Sequence, residues 1–312
     1  MHSVINLDKP KGISSQQAVT RVKRIADVKK AGHAGTLDPV ATGVLLVCTG
    51  EATKVTRFLS DLNKEYYAVM KLGEKRDTYD SEGKVIETSD GFSFCEEDIK
   101  KVLEQFTGRI EQTPPMYSAL KMEGKRLYAL ARKGVVVERQ KRTVMIYGLE
   151  IAGIEFPFLT LKISCSKGTY IRSLCNDIGE ALGVGAHMTG LRRTRIGRFK
   201  IEDSLTLDEL EKIIKGEGSG SRDEQMGNVS LMSIDTALDH LKEVILTDKE
   251  FRMARNGMPL NTAGLSCSLQ AHEYVRLKDP SGSLFAIGKS LNSVIKIERA
   301  FRLTHTEPLF GS

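Results

Sequence analysis

The amino-acid sequence predicts an α+β fold that ends in a small β-barrel. Strand-like and helical segments follow one another without the strict alternation that a doubly wound parallel sheet requires. Beyond about residue 242 the chain changes to short strand-like runs separated by turns such as Asp279-Pro280-Ser281-Gly282, which is typical of a small barrel. Because 312 residues are enough for two domains, we predict one domain over residues 1–241 and a second over residues 242–312.

The first part of the chain predicts a strand, a helix and a buried apolar segment. Ser3 to Leu7 is a short apolar run that stops before a Pro-Gly turn, so we expect a strand. Ser14 and Ser15 are suitable N-caps for a helix that ends near Ala26. The apolar run Val44 to Val47 predicts a buried strand or a short helix.

The middle of the chain predicts two strands and three helices. Polar and apolar residues alternate in two runs, which indicates strands at Glu65–Lys71 and Leu159–Ser164. Apolar residues at helical spacing predict helices over Glu97–Phe106, Leu127–Arg132 and Ser173–Leu182. Gly183 follows the last helix directly and is a suitable residue to end it.

The last third of the chain begins with a low-complexity stretch. Residues 216–228 are rich in Gly and Ser with mixed charge, which predicts a flexible loop. A helix from about Ser233 to Leu241 follows. The strands of the predicted barrel are Val244–Leu246, Glu273–Leu277, Leu284–Ile287 and Val294–Phe301.

Composition narrows the class of protein. The longest apolar runs fall well short of the roughly 20 residues that a membrane span needs, and the N-terminus lacks a secretion signal, so we expect a cytoplasmic protein. Five cysteines without a C-x-x-C pair argue against a disulfide framework. Six dispersed histidines offer no cluster of zinc ligands, so we predict no metal.

The net charge of +6 is concentrated in two places. Residues 115–142 contain eight basic and two acidic side chains, and a second group, between Arg192 and Lys200, contains no acid. Such patches suit neutralisation of nucleic-acid phosphates, which supplies most non-specific affinity. A solvated charged surface without a partner is the alternative for either patch.

The segment Gly32 to Gly43 presents a single carboxylate, Asp38, in a glycine-flanked turn. A rigid backbone of this kind is useful for a nucleophile or a general base. Asp before Pro is also a common turn starter. From spacing alone, capping of the turn is the better interpretation of Asp38.

The same loop resembles the signature of the bacterial tRNA pseudouridine-55 synthase family. Gly35-Thr36-Leu37-Asp38 through Gly43 matches the G-x-L-D-x-x-x-x-G pattern that pseudouridine synthases share, in which the aspartate is catalytic. Further segments match other family motifs in the expected order, and these are Lys9-Pro10-Lys11-Gly12, Lys64-Glu65-Tyr66, Pro115 to Lys121, Ser166 to Arg172 and Leu191-Arg192-Arg193. The resemblance therefore covers about residues 3 to 200.

The resemblance implies a role for each matching residue. Asp38 corresponds to the catalytic aspartate, Tyr66 to the aromatic residue that packs on the target base, and Arg172 to the ion-pair partner of the aspartate. The neighbouring Tyr67 would point to the opposite face of the strand and is expected in the core. Expected substrate contacts are His33, Tyr66, Tyr170 and Leu191, and expected RNA contacts are Lys9, Lys121, Lys125, Arg126, Arg192 and Arg193.

The resemblance also implies a fold, an activity and a partner. The fold would be that of pseudouridine synthases, with a central mixed, mainly antiparallel sheet and a C-terminal RNA-binding barrel of the PUA type. The chain would isomerise uridine 55 in the T-loop of tRNA after flipping the base, without a cofactor or a metal. The partner would be the T-arm stem-loop, gripped by an insertion at about residues 115–142, and the protein is expected to be a monomer.

Two alternatives stay open from the sequence. One is a pseudouridine synthase that acts on another RNA, such as ribosomal RNA or a guide-dependent target. The other is an RNA-binding or RNA-folding factor with no required activity, although such a protein would have no need to keep both Asp38 and Arg172.

Overall fold

A computed structural model describes most of the chain, namely residues 1–117, 121–122, 125–126, 137–217, 230–262 and 269–302. A ten-stranded sheet and a five-stranded sheet account for most of its strands. The predicted helix at Leu127–Arg132 and most of the predicted loop at residues 216–228 lie outside the described ranges.

The strands are β1 (Ser3–Lys9), β2 (Ala31–His33), β3 (Thr42–Thr49), β4 (Lys64–Leu72), β5 (Glu74–Arg76), β6 (Val85–Thr88), β7 (Gly108–Gln112), β8 (Lys121–Met122), β9 (Lys125–Arg126), β10 (Arg142–Glu155), β11 (Phe158–Cys165), β12 (Ala186–Ile196), β13 (Phe199–Lys200), β14 (Leu231–Ser233), β15 (Lys242–Ile245), β16 (Leu260–Asn261), β17 (Tyr274–Lys278), β18 (Leu284–Leu291) and β19 (Val294–Ala300). The α-helices of the described residues are α1 (Ser15–Ile25), α2 (Thr56–Ser60), α3 (Glu96–Glu104), α4 (Ile171–Ala181), α5 (Leu207–Lys215), α6 (Ile234–Ala237) and α7 (Asp248–Arg255). Short 3₁₀ helices span Gly50–Val55 and Ile201–Asp203.

The large sheet has the strand order β14-β1-β3-β12-β4-β11-β10-β7, and β2 and β13 pair with β3 and β12. Neighbouring strands run antiparallel, apart from β3 and β12, which run parallel. The prediction of a central mixed, mainly antiparallel sheet is therefore confirmed. The small sheet has the order β15-β17-β18-β19-β16 and forms a curled half-barrel near the C-terminus.

Most of the predicted elements are present, with shifts of up to four residues at their ends. Ser14 caps α1, because its side chain accepts a hydrogen bond from the backbone N–H of Gln17 while the Gln17 side chain accepts from Ser14 N. The predicted helix from Ser233 to Leu241 is wrong beyond Ala237. Leu238 leaves the helical conformation, and the chain turns to enter β15 four residues later.

The large sheet carries apolar cores on both faces. On one face, alternate β4 residues such as Tyr66 and Met70 pack against α3 and α4. The expectation that Tyr67 is the core residue of this pair is wrong. Tyr66 is only 7% exposed whereas Tyr67 is 42% exposed, since alternation along β4 directs Tyr66 toward the helices.

A second core joins the two sheets. Val44 and Leu46 of β3 pack in one cluster with Phe58 of α2 and with Leu284 and Ile287 of β18. Polar contacts also join the two sheets. The guanidinium of Arg57 lies 5.0 Å from the ring centre of Tyr274 and 2.8 Å from a carboxylate oxygen of Glu298. The ammonium of Lys54 donates to the carbonyl of Ala300. The small sheet is therefore anchored on the large one by a shared interior.

Gly43 of strand β3 pairs with Arg193 of strand β12. Its φ is +101°, and a Cβ at this position would lie 2.2 Å from the carbonyl oxygen of Arg193. Both the backbone conformation and the close approach require glycine.

We expect Gly43→Ala to lower the free energy of unfolding by about 2 kcal/mol or more, because it combines backbone strain with a clash against main-chain atoms. Urea titration followed by circular dichroism measures the change. Gly190→Ala is the matched control, since its Cβ would make an ordinary contact at 3.5 Å with Val69. Equal losses in the two variants would contradict this account of Gly43.

Candidate active site

A cavity of about 820 Å³ opens between the loop that follows β2 and the start of α4. Its size is within the range typical of small-molecule sites. Among the residues that line it are His33, Asp38, Lys64, Tyr66, Tyr117, Tyr170, Arg172, Leu191 and Arg193. The folded chain thus brings together the residues expected to bind the base, although they are distant in the sequence.

The loop that carries Asp38 is fixed at both sides. The hydroxyl of Ser15, at the start of α1, accepts a hydrogen bond from Leu37 N at 2.8 Å and donates to Leu37 O at 2.9 Å. Gly12 N donates to the carbonyl of Pro39 at 2.8 Å, and Ala41 N donates to the carbonyl of Asp38. These bonds bracket Asp38 on either side and hold its backbone in one conformation.

Arg193 also holds the main chain of the loop that carries Asp38. It is 1% exposed, and its guanidinium donates to the carbonyls of Val44 at 2.7 Å, Gly35 at 3.1 Å and Thr36 at 3.5 Å. Lys9 is likewise fully buried, and its ammonium donates to the carbonyls of Pro10 and Ile13.

The expectation that Lys9 and Arg193 contact RNA stays a prediction, although both side chains are buried. Their charged groups are already bonded to main-chain carbonyls inside the protein, next to Asp38. Arg192, in contrast, is exposed, and it pairs with Asp8 at 3.1 Å beside a separate cavity of about 420 Å³. The side chains of Lys121, Lys125 and Arg126 lie outside what the structure describes.

Arg172 connects Asp38 to two other parts of the chain. Its Nε lies 3.0 Å from the Asp38 carboxylate, its Nη1 lies 2.9 Å from the carboxylate of Asp80, and its Nη2 donates to the carbonyl of Tyr117 at 2.7 Å. Asp80 is itself held by the hydroxyl of Thr78 at 2.6 Å. A guanidinium with three fixed partners has little freedom to turn away from Asp38.

Burial and the neighbouring charges have opposing effects on the pKa of Asp38. Burial raises the pKa of the Asp38 carboxyl, and the charge of Arg172 opposes the rise. Asp80 adds to the rise, while Lys9 and Arg193 oppose it. The pKa lies above the ordinary aspartate value, and the ionised form predominates only when the pH exceeds that raised pKa.

The pKa values of Tyr66 and His33 in the cavity are also shifted. Burial raises the pKa of the Tyr66 hydroxyl, so this group stays protonated at neutral pH. Burial and the nearby charge of Arg193 lower the pKa of His33, which favours a neutral imidazole. Tyr170 and Leu191 are half-buried at the cavity wall.

Sequence reasoning missed two charged residues of this region. Asp80 lies in an acidic turn that local patterns treat as solvated, yet it is 3% exposed and bonded to Arg172. Lys64 belongs to a recognised motif, but without an assigned role. Its ammonium donates to the carbonyls of Ser60 and Leu62 beside the cavity, and burial lowers its pKa to about 8.

Within the described ranges, no group of three or more His, Cys, Asp or Glu side chains is placed to hold a metal ion. None of the helices that the structure describes is long and apolar enough to cross a membrane.

Comparison with known proteins places these features in one family. Residues 23–171 match the TruB family pseudouridylate synthase (N terminal domain), and residues 172–246 match the tRNA pseudouridylate synthase B C-terminal domain. The tRNA pseudouridine synthase B of Clostridium tetani is 41% identical over 277 residues, which cover 89% of this chain and 92% of that protein. The enzyme of the same name from Pelotomaculum thermopropionicum is 43% identical and covers 96% of this chain and 95% of its own length.

Solved structures agree with these sequence matches. A chain of a Cbf5-Nop10-Gar1 complex aligns with a TM-score of 0.75 and 31% identity, over 96% of this chain and 84% of that chain. A chain of an H/ACA RNP bound to a substrate RNA containing 2′-deoxyuridine aligns with a TM-score of 0.74 and 29% identity, over 99% and 88%. The chain therefore belongs to the TruB family of pseudouridylate synthases.

Proposed function

We propose that this protein converts uridine to pseudouridine at position 55 in the T-loop of tRNA, with Asp38 as the essential carboxylate. The observation that carries the proposal is the Asp38 carboxylate in the wall of a nucleotide-sized cavity, paired with Arg172 and close to Tyr66. The relatives named tRNA pseudouridine synthase B, which match over most of the chain, support the choice of tRNA.

The reaction is an isomerisation in which no atom is gained or lost. The bond between N1 of uracil and C1′ of the ribose breaks, the freed uracil turns, and a bond forms between C5 and C1′. The proton on C5 leaves, and N1 ends with a proton. Because there is no net oxidation or reduction, the reaction consumes no redox cofactor.

Asp38 can act by either of two routes. Its carboxylate can attack carbon and form a covalent intermediate, or it can remove a ribose proton so that the base departs. Both routes require the ionised carboxylate. The ion pair with Arg172 favours that form and fixes the direction of the carboxylate oxygens.

The cavity walls supply the remaining functions. Tyr66 offers an aromatic face to the uracil, and its protonated hydroxyl can relay the C5 proton late in the cycle. Tyr170 and Leu191 close the sides of the pocket and keep the detached base from leaving. His33, as a neutral imidazole, fills the space that the flipped base vacates in the RNA.

RNA binding is distributed over three parts of the chain. Bases in loops are accessible to proteins, whereas bases in an A-form stem are not, so a stem-loop is the natural substrate. The basic insertion at residues 115–142 grips the phosphates of the stem, and Arg192 contacts RNA near the pocket. Residues 242–312 act as a second RNA-binding domain beside the catalytic domain, residues 1–241. The protein works as a cytoplasmic monomer.

We expect Asp38→Asn to abolish pseudouridine formation while leaving tRNA affinity within about threefold, because the amide keeps the shape of the carboxylate but can neither attack carbon nor accept a ribose proton. Carbodiimide treatment followed by primer extension maps the product, since the isomer has the mass of uridine. Asp61→Asn is the matched control, as Asp61 is an exposed partner of Lys167. Normal product formation by Asp38→Asn would contradict the mechanism.

We expect Arg172→Met to move the acidic limb of the pH–rate profile to higher pH. In the wild type, activity falls as the pH drops through the raised pKa of Asp38, since the protonated acid is inactive. Removing the guanidinium removes the main effect that opposes the rise, so the Asp38 pKa increases further. Single-turnover rates between pH 4 and 8 test this expectation, and an unmoved limb would exclude Arg172 from control of Asp38.

We expect joint replacement of Lys121, Lys125 and Arg126 by Gln to weaken tRNA binding and to flatten its salt dependence. Each lost phosphate contact on duplex RNA should reduce the slope of log Kd against log salt by up to about one unit. Fluorescence titration of a labelled stem-loop at several salt concentrations measures the slope. The control replaces Lys84, Lys100 and Lys101 by Gln. An unchanged slope in the variant of Lys121, Lys125 and Arg126 would contradict phosphate binding by the insertion.

A further inference from the structure

Gln112 is a buried polar residue for which neither the sequence nor the proposed chemistry accounts. It ends strand β7, immediately before the basic insertion, and its partner in the sheet is Arg142 at the start of β10. The side chain is directed inward, since Gln112 is only 1% exposed. It therefore occupies the root of the insertion, where the chain leaves the large sheet and returns to it.

The carboxamide of Gln112 forms a reciprocal pair of hydrogen bonds with one backbone residue. Its Oε1 accepts from Tyr170 N at 3.0 Å, and its Nε2 donates to Tyr170 O at 3.2 Å. Both polar atoms of the side chain are thus bonded to Tyr170. A shorter side chain would not reach, and an apolar one would leave the Tyr170 N–H without this acceptor.

Tyr170 is the N-cap residue of helix α4, and it makes no side-chain capping bond of its own. Its carbonyl also accepts the first helical hydrogen bond, from Leu174 N at 3.0 Å. Arg172 is the second residue of this helix. The direction of the first helical turn consequently decides whether the Arg172 guanidinium reaches Asp38.

Neighbouring residues extend the connection between the insertion root and α4. The hydroxyl of Ser173 donates to the carbonyl of Thr113 at 3.0 Å, and Arg172 donates to the carbonyl of Tyr117. On the returning strand β10, Met145 N donates to the hydroxyl of Ser166, and Ser166 N donates to Met145 O. Both strands that carry the insertion are therefore bonded to the cavity wall.

We propose that Gln112 is a positioning residue which, through the backbone of Tyr170, holds the first turn of α4 so that Arg172 stays paired with Asp38. The role in catalysis rests on the proposed function of Asp38, but the geometric role does not. Gln112 itself has no contact with the substrate in this proposal. It acts only through α4.

A purely structural role would give a different result from a positioning role. A buried hydrogen-bonding residue that merely stabilises the fold changes the amount of folded protein and leaves the folded site unaltered. A positioning residue changes the surroundings of Asp38, whose charged neighbours are Arg172, Asp80, Lys9 and Arg193. Displacement of Arg172 removes the strongest of the positive charges that act on Asp38.

The test compares Gln112→Met with Thr49→Val in the full-length protein. Methionine has a similar length but can neither donate nor accept as the amide does. Thr49 is a matched control because its buried hydroxyl also pairs reciprocally with one backbone residue, accepting from Ser3 N and donating to Ser3 O, away from the cavity. Gln112→Leu is a second uncharged variant that removes both hydrogen bonds to Tyr170.

The first measurement is an NMR titration of protein labelled with ¹³C at the aspartate carboxyl carbons, with the Asp38 signal identified by its absence in Asp38→Asn. We expect the Asp38 pKa to rise in Gln112→Met and in Gln112→Leu, and to remain unchanged in Thr49→Val. An unchanged Asp38 pKa in both folded Gln112 variants would overturn the proposal. This measurement needs no RNA, so it tests the positioning role even if the proposed function fails.

The second measurement is the kinetics of pseudouridine formation in an unmodified T-arm stem-loop. We expect kcat of Gln112→Met to fall on the order of 10- to 100-fold, which is the effect of a small misplacement of catalytic groups, with KM changed less than about threefold. Thr49→Val should keep the wild-type kcat. A Gln112→Met protein with the wild-type kcat would overturn the catalytic part of the proposal, whereas an inactive wild type would overturn the proposed function instead.

Discussion

The ion pair between Arg172 and the buried carboxylate of Asp38 is the interaction on which the arrangement of the cavity depends. An aspartate removed from water tends to hold its proton, and the compensating cation must then lie close and stay in place. Arg172 meets both conditions, since it contacts Asp38 at 3.0 Å and is also held by Asp80 and by the carbonyl of Tyr117. Three separated parts of the chain thus meet at one guanidinium, and the large sheet provides the frame on which they do so.

The basic residues of the chain are of two kinds, buried and exposed. Some are internal, and Arg193 and Lys9 use their donors to hold the main chain around the Asp38 loop while adding positive charge next to the carboxylate. Others, such as Arg192, are exposed and available to a polyanion. A positive net charge therefore serves both the local electrostatics of the cavity and RNA binding.

Strands such as β1, β4 and β11, the first helix and the identity of the Asp38 loop could be predicted from the sequence, because alternation, capping and a specific motif are local signals. Two further motifs of the family resemblance led to Tyr66 and Arg172, which the fold brings to the same cavity. Asp80 and Gln112 could not be found in this way, since their contacts join residues 92 and 58 positions apart. Local patterns likewise gave no means to separate the buried Arg193 from the exposed Arg192, and the alternation in β4 left open which of Tyr66 and Tyr67 faces the core.

The interior shared by the two sheets makes them inseparable as physical units, although they occupy successive stretches of sequence. Phe58 and Leu59 of α2 are buried in one cluster with Leu284, Ile287 and Phe301. A chain shortened before β18 would expose this apolar surface to water, with a loss of stability and a tendency to self-associate. The C-terminal sheet therefore could not be transferred to another enzyme unless the surface against which it packs were redesigned as well.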